Sequence, residues 1–479
     1  MTHRWLYATA VVVAACASEP GAANGTGGTA GASGASTGGL ASASGGVSGG
    51  SSEPDPDELL PARVRRLATA EYDASVQALL TTEQAIATGA DFPPDLRQDG
   101  FTVNGAQRVD AVSVERFADA ADALATEAQQ NGTLARLAPC ERDADPASCA
   151  RTFIETFGAK VYRRPLLAEE VDALLALYAV GAEDATYEDG ITHVTRGLLQ
   201  SAGFLYLTEL GDGAPSTSGV VRMTPYELAS ELSYFVTSAP PDDELLAQAE
   251  SGALSDPSER SAQARRLFRT DPRAQATAVR LVREWLGIDR IDASAKDSLI
   301  YPDFEAQKPR IVAESQDFVR AVTFQSTGTV AELIGARWTV DTGPLGMYQA
   351  GARGPIAGST LIDRVGILNQ AAFLATYANA HESHPIFRGV AITRRVVCQH
   401  LDSPASFNLQ VVPPPPDPSK TTRERYEVHA KDGLCAGCHD MIDPFGFAFE
   451  HFDGMGAYRA KEHGRDVDST VFVNLEGDY

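Results

Sequence analysis

The sequence predicts a mainly α protein: a multi-subdomain helical body followed by a distinct C-terminal segment. Three observations carry this. From Pro61 onward, apolar residues recur mostly at helical spacing. Helix start signals are frequent, and strand-like alternation is scarce, with no Asn-Gly or Asp-Gly hairpin between β-branched runs. Hydrophobic residues make up 43% of the 479 positions, enough for packed cores, and the length suits two to four domains or subdomains. With 64 acidic and 40 basic side chains, the net charge of −24 argues against a nucleic-acid partner, which needs a basic footprint. It also disfavours adhesion to an anionic membrane by surface charge. After the first fifteen residues no apolar run reaches bilayer-spanning length.

Residues 1–15 read as a bacterial export signal, with Arg4 as its positive start and Trp5 to Ala15 as a short apolar stretch. The stretch ends Val13-Ala14-Ala15-Cys16, which resembles a lipobox. Cys16 then becomes the first mature residue and carries the lipid, unless the signal is an ordinary cleaved one with an incidental cysteine. Ala17 in place of Asp favours the outer membrane by analogy, facing the periplasm or the cell surface. Residues 16–56 form a Gly/Ala/Ser-rich linker, with 12 glycines between positions 17 and 52. Such a segment buries too little apolar surface to fold and has an r.m.s. reach of roughly 30–35 Å.

The body divides into helical domains at 57–135, 136–216 and 217–350, with a C-terminal domain at 351–479. In the first, Leu67, Tyr72, Val76 and Leu79–Leu80 make one helical face, and Phe117, Ala120–Ala121 and Leu124 another. In the third, Thr224-Pro225-Tyr226-Glu227 is a capping box with proline at the first helical position, and Leu228, Leu232 and Phe235 line the face that follows. Asp256-Pro257-Ser258-Glu259 repeats the device, and Asp271-Pro272 opens a helix running toward Trp285. Pro413–Pro416 is a stiff polyproline spacer, more in keeping with an exported protein than a ligand for aromatic grooves. No fixed-period repeat, Walker pattern or dinucleotide-binding glycine pattern occurs.

Six cysteines are present. Cys140 and Cys149 bound a short polar loop, which in an oxidising compartment reads as a loop-closing disulfide; two free thiols are the alternative. Such a bridge stabilises by roughly 2–3 kcal/mol in the chain-entropy model. Cys435-Ala436-Gly437-Cys438-His439 is C-x-x-C-H, the attachment pattern of c-type haem. The two thiols can each add to a haem vinyl group, and the histidine is then placed as proximal ligand to the iron. The alternatives are a redox Cys pair, half of a zinc site completed by His429 and Cys398, or a disulfide from Cys398 to Cys435 or Cys438.

The residues around this motif extend the argument. Thr422-Arg423-Glu424-Arg425, His429, the C-x-x-C-H itself, Ile442-Asp443-Pro444-Phe445-Gly446-Phe447-Ala448-Phe449-Glu450, Phe452-Asp453, Gly456 and Tyr458-Arg459 resemble the planctomycete cytochrome C–type domain. Upstream segments are similar to its usual companions in order: Arg65-Arg66-Leu67 with Glu71-Tyr72 and Phe92-Pro93-Pro94-Asp95, then Tyr162-Arg163-Arg164-Pro165-Leu166, then Phe204-Leu205-Tyr206 with Tyr226-Glu227-Leu228-Ala229, then Arg388-Gly389 and Cys398. The resemblance covers roughly 63–475 and implies a cytochrome c-like C-terminal segment, a covalent haem c and an envelope location, but no substrate. Members usually run on into a further small domain, so the end at Tyr479 reads as a truncated gene or fragment.

A haem site needs more than its attachment motif. Met455 is the leading candidate for the sixth ligand; Met441 is too near His439, and His381, His384, His400, His429, His451 and Cys398 are further options. Phe445, Phe447, Phe449 and Phe452 either wrap a haem edge or form an ordinary core, and Arg459 pairs with a propionate or with a neighbouring acid. Three functions follow: an envelope-anchored haem protein passing electrons to a redox partner or an exported oxidoreductase; a haem-free lipoprotein scaffold with disulfides among Cys398, Cys435 and Cys438; or a haem enzyme with an open iron site. No hydrolase or transferase constellation accompanies them.

Overall fold

The computed structural model describes residues 63–80, 92–140, 145–211, 221–340, 347, 350–353, 358–361, 364–402, 414–430 and 433–473. The export signal, Cys16, the linker and Pro413 lie outside the described residues, as does the side chain of His429. No described helix is long and apolar enough to cross a membrane.

The protein is mainly α. In chain order the helices are α1 (Thr69–Leu80), α2 (Ala111–Gln130), α3 (Thr133–Leu137), α4 (Pro146–Tyr162), α5 (Ala168–Ala182), α6 (Tyr187–Leu199), α7 (Ala202–Leu205), α8 (Pro225–Thr237), α9 (Asp243–Glu250), α10 (Pro257–Thr270), α11 (Arg273–Leu286), α12 (Phe304–Arg320), α13 (Val330–Gly335), α14 (Ala371–Thr376), α15 (Pro385–Arg395), α16 (Thr422–Ala430) and α17 (Gly433–Phe447). The strands are short. β1 (Arg63–Arg66) pairs antiparallel with β2 (Tyr206–Glu209), β3 (Trp338–Val340) and β4 (Ala350–Arg353) flank β5 (Gly358–Leu361), and β6 (Lys461–Glu462) pairs with β7 (Arg465–Asp466).

The start signals work as their chemistry requires. At α8 the Thr224 hydroxyl accepts from the Glu227 amide at 3.2 Å, and the Glu227 carboxylate accepts from the Thr224 amide at 2.8 Å. Asp256 caps α10 by accepting from the Ser258 amide at 2.8 Å. The expected face of α8 is rotated, however. Phe235 is exposed, whereas Ala229, Ser233 and Tyr234 point inward. Tyr234 sets this rotation: its hydroxyl meets Ser75 of α1 at 2.8 Å and its ring lies under the Arg163 guanidinium. Cys140 and Cys149 are joined by a disulfide with Cα atoms 5.7 Å apart, tying the α3–α4 loop to the first turn of α4.

Three main cores fill the described residues. One core runs from Tyr72 to Leu205, so 57–135 and 136–216 share a single interior. A small second core, Ala229 to Ala274, holds α8 to α10 together. The largest runs from Val279 to Met455 and fuses the second half of the central region with the C-terminal segment. Helix α11 contributes Ala274 to the small core and Val279, Val282, Trp285 and Leu286 to the large one.

Candidate functional site

The C-x-x-C-H motif lies on α17. The helix is seated against α15 by two glycines: a Cβ on Gly389 would overlap the carbonyl of Ile442, and one on Gly446 would overlap the carbonyl of Pro385. Only hydrogen at these positions lets the two backbones approach so closely. The seat is at Ile442 and Gly446, and the first turns of α17 precede it in the chain. Cys435 and Cys438 are there, free and half-exposed. Neither is bridged to Cys398, which sits exposed just beyond α15 at φ 59°.

His439 faces a cavity of about 570 Å3 lined by α16 (Arg423, Glu427), α17 (Asp440, Asp443, Pro444, Phe447) and the C-terminal run Asp468 to Phe472. Its Nδ1 lies 2.8 Å from Oδ1 of Asp443. Arg423 stacks over Phe447 at 5.1 Å and holds the far wall in place by donating to the carbonyls of Asp468 at 3.1 Å and Thr470 at 2.8 Å. The Asp443 contact was readable as an i,i+4 pair on a helix. The Arg423 clamp was not, since its acceptors come from the end of the chain.

Several other expected site residues lie elsewhere. Met455 is buried in the large core and is not among the cavity residues; its amide donates to Asp453 at 2.9 Å. Phe452, with Phe445 and Phe449 packed beside it, belongs to that same core, so only Phe447 of the four reaches the cavity. Arg459 is consumed internally. Its guanidinium donates to Glu462 at 2.7 Å, Ser383 at 2.9 Å and Glu450 at 3.2 Å. His384 is a buried helix cap whose Nδ1 accepts from the Phe387 amide at 3.2 Å, and burial lowers its pKa to about 4. His381 and His400 are exposed beside Asp297 and Asp402, and His451 donates to the Arg459 carbonyl at 2.9 Å. Among the described residues, no group of three His, Cys, Asp or Glu side chains is placed to hold a metal ion directly.

The flank of the site is built on buried charge. Arg388 of α15 is wholly buried and donates to the carbonyls of Phe449, Phe452, Leu374 and Asp453 at 2.7–3.2 Å. Burial lowers its pKa to about 10. Glu450, also buried, has one oxygen on Arg459 and the other without a partner; burial raises its pKa to about 7. Glu462 ties this network to α16 by accepting from the Thr422 amide at 2.7 Å and hydroxyl at 2.8 Å.

A haem c fits the residues present. Two unbridged thiols lie three positions apart, the adjacent imidazole is held at Nδ1 by Asp443, and that imidazole, though neither thiol, is among the residues lining a cavity with the volume of a cofactor site. Fold and motif together define a helical, cytochrome-like protein. Four family models match in order, each described as a protein of unknown function: PSD3 (DUF1587) at residues 65–130, PSD5 (DUF1595) at 149–209, PSD4 (DUF1592) at 223–348 and PSCyt3 (DUF1588) at 364–462. The chain belongs to the planctomycete cytochrome C–type domain family. Neither curated proteins nor solved structures give a match.

Proposed function

We propose that the chain is an envelope-anchored c-type haem protein that passes electrons or serves an exported oxidoreductase. The observation that carries this is the pair of free, half-buried thiols, Cys435 one turn before and Cys438 next to an imidazole whose Nδ1 is held by Asp443. Cys435 and Cys438 would make the thioether links, His439 would ligate the iron, and Phe447 would shield one edge. The haem, when bound, supplies one-electron redox chemistry. Arg423 is the one basic residue among the described lining of the cavity, and a propionate there would compete with Glu427 and Asp468 for it. Cys16 would carry the lipid, and the glycine-rich linker would hold the body away from the outer membrane.

Production with cytochrome c maturation machinery tests the reading. A haem-sized mass increase and a pyridine haemochrome spectrum are expected, and Cys435→Ser with Cys438→Ser abolishes both. A colourless wild-type chain at the apo mass excludes it. Cys16→Ser should move the protein from the membrane to the soluble fraction.

An open-iron haem enzyme is the second reading. It is supported by the cavity lining, whose one histidine is His439 and which includes no methionine among the described residues. Cyanide or carbon monoxide shifting the visible spectrum favours this over simple electron transfer; no shift removes it.

A further inference from the structure

His439 and Asp443 form a nearly enclosed pair, their side chains 13% and 12% exposed. Nδ1 of His439 and Oδ1 of Asp443 are 2.8 Å apart, a pairing in which the ring N–H donates and the carboxylate oxygen accepts. Two consequences follow. The lone pair of the ring lies on Nε2, and the ring cannot turn without losing a charge-assisted bond. A carboxylate also draws on that proton more strongly than a neutral carbonyl does. It therefore leaves more electron density on the imidazole and makes Nε2 the stronger donor to a metal.

The surroundings push the same way. Besides Asp443, the cavity is lined by Glu427, Asp440 and Asp468, with Arg423 as its one basic residue among those described. Arg423 is itself paired with Glu427 at 2.6 Å and Asp468 at 3.5 Å. Negative groups around a site stabilise its more positive oxidation state.

We infer that Asp443 is a positioning residue for His439: it locks the Nδ1-protonated tautomer, presents Nε2 to a haem iron and favours the ferric over the ferrous form. This rests on the haem reading above. It lowers the potential of the centre relative to one whose imidazole is held by a neutral acceptor. The couple concerned is a one-electron couple, ferric to ferrous, with the proton on Nδ1 in both forms; in the test, dithionite supplies the electron.

Full-length haem-loaded protein is titrated as wild type, Asp443→Asn, Asp443→Glu and Asp468→Asn. Asparagine keeps the shape of Asp443 and removes its charge. Asp443→Asn should retain its haem and shift the reduction equilibrium toward ferrous by tenfold or more, which is about 59 mV for a one-electron couple. Asp443→Glu should stay close to wild type. Asp468→Asn removes a charge from the same cavity away from the His439–Asp443 bond, and should shift less than Asp443→Asn. No shift in Asp443→Asn, or equal shifts in the two asparagine variants, overturns the positioning role and leaves the haem reading intact. A haem-free wild-type chain removes both. Should Asp443→Asn fail to take up haem, nitrogen-15 NMR of the apo wild type decides: Nδ1–H at His439 is expected, and an Nε2–H tautomer overturns the inference.

Discussion

The core from Tyr72 to Leu205 and the core from Val279 to Met455 solve the same problem differently. The first is held by rings: Tyr72 meets Phe92, Phe117 and Phe204 at centroid distances of 5.0, 5.9 and 5.5 Å. Its arginines Arg65 and Arg66 are matched with Glu71 and Asp95. The second contains two wholly buried guanidiniums, Arg364 and Arg388, whose hydrogen bonds go to backbone carbonyls. The difference follows from backbone form. Helices satisfy their own carbonyls, whereas the irregular runs at 364–370 and 448–460 do not, and an arginine offers five donors in a planar fork. The part of the molecule that carries the C-x-x-C-H helix therefore adds two wholly buried guanidiniums to its apolar core, where the first core, beside its rings, has buried ion pairs and the carbonyl-bound Arg163.

The most severe way to break this contrast is Arg388→Met. It leaves four buried carbonyls without their donor, each costing about 1–3 kcal/mol, so a loss above about 4 kcal/mol is expected. Limited proteolysis should show cleavage within the C-terminal segment while the residues of the first core stay protected. Cleavage spread evenly over the chain would contradict the separation of the two cores. Phe204→Ala comes next, at about 3–5 kcal/mol in denaturant titrations. Its cost should be the same at pH 5 and pH 7.5, because rings do not titrate.

Proton linkage sharpens the comparison further. The folded pKa of Glu450 is raised to about 7, above its unfolded value, so its contribution is fully present at low pH and is lost as pH rises through 7. Glu450→Gln should flatten the stability profile of the C-terminal region between about pH 5 and pH 7. His384 has the opposite sign: lowered to about 4, it supports the fold above pH 6.5 and loses that support as pH falls toward 4. An unchanged pH slope in Glu450→Gln would show that its neighbouring arginines keep it charged. The smallest effect is expected outside both cores. Thr224→Ala removes the α8 cap and should cost about 1 kcal/mol, seen as a small midpoint shift with no change in pH slope.

Local chemistry made much of this legible from sequence. The Thr224 capping box, the faces through Tyr72 and Phe117, the Cys140–Cys149 loop and the C-x-x-C-H helix all depend on residues within a few positions of one another. Arg163, Arg388 and Glu450 were visible only as parts of a family pattern. Their roles lie in contacts far along the chain: Arg163 binds carbonyls near residue 204, and Arg388 binds carbonyls more than sixty residues later. No spacing rule reaches that distance. The phenylalanines after His439 could not be assigned because α17 ends at Phe447, where helical periodicity stops predicting direction. Phe235 misled because its neighbour Tyr234 had a stronger claim on the interior.

The shared interior has a consequence for heredity. The family recognises one stretch ending at residue 348 and another beginning at 364, yet both flanks of the largest core meet across that gap, Trp285 to Trp338 on one side and Ile367 to Phe452 on the other. A recombination event that exchanged the last stretch for a paralogue's would inherit half an interior and have to match the other half side chain by side chain. These stretches can be separate as genes' building blocks and still be obliged to evolve as partners.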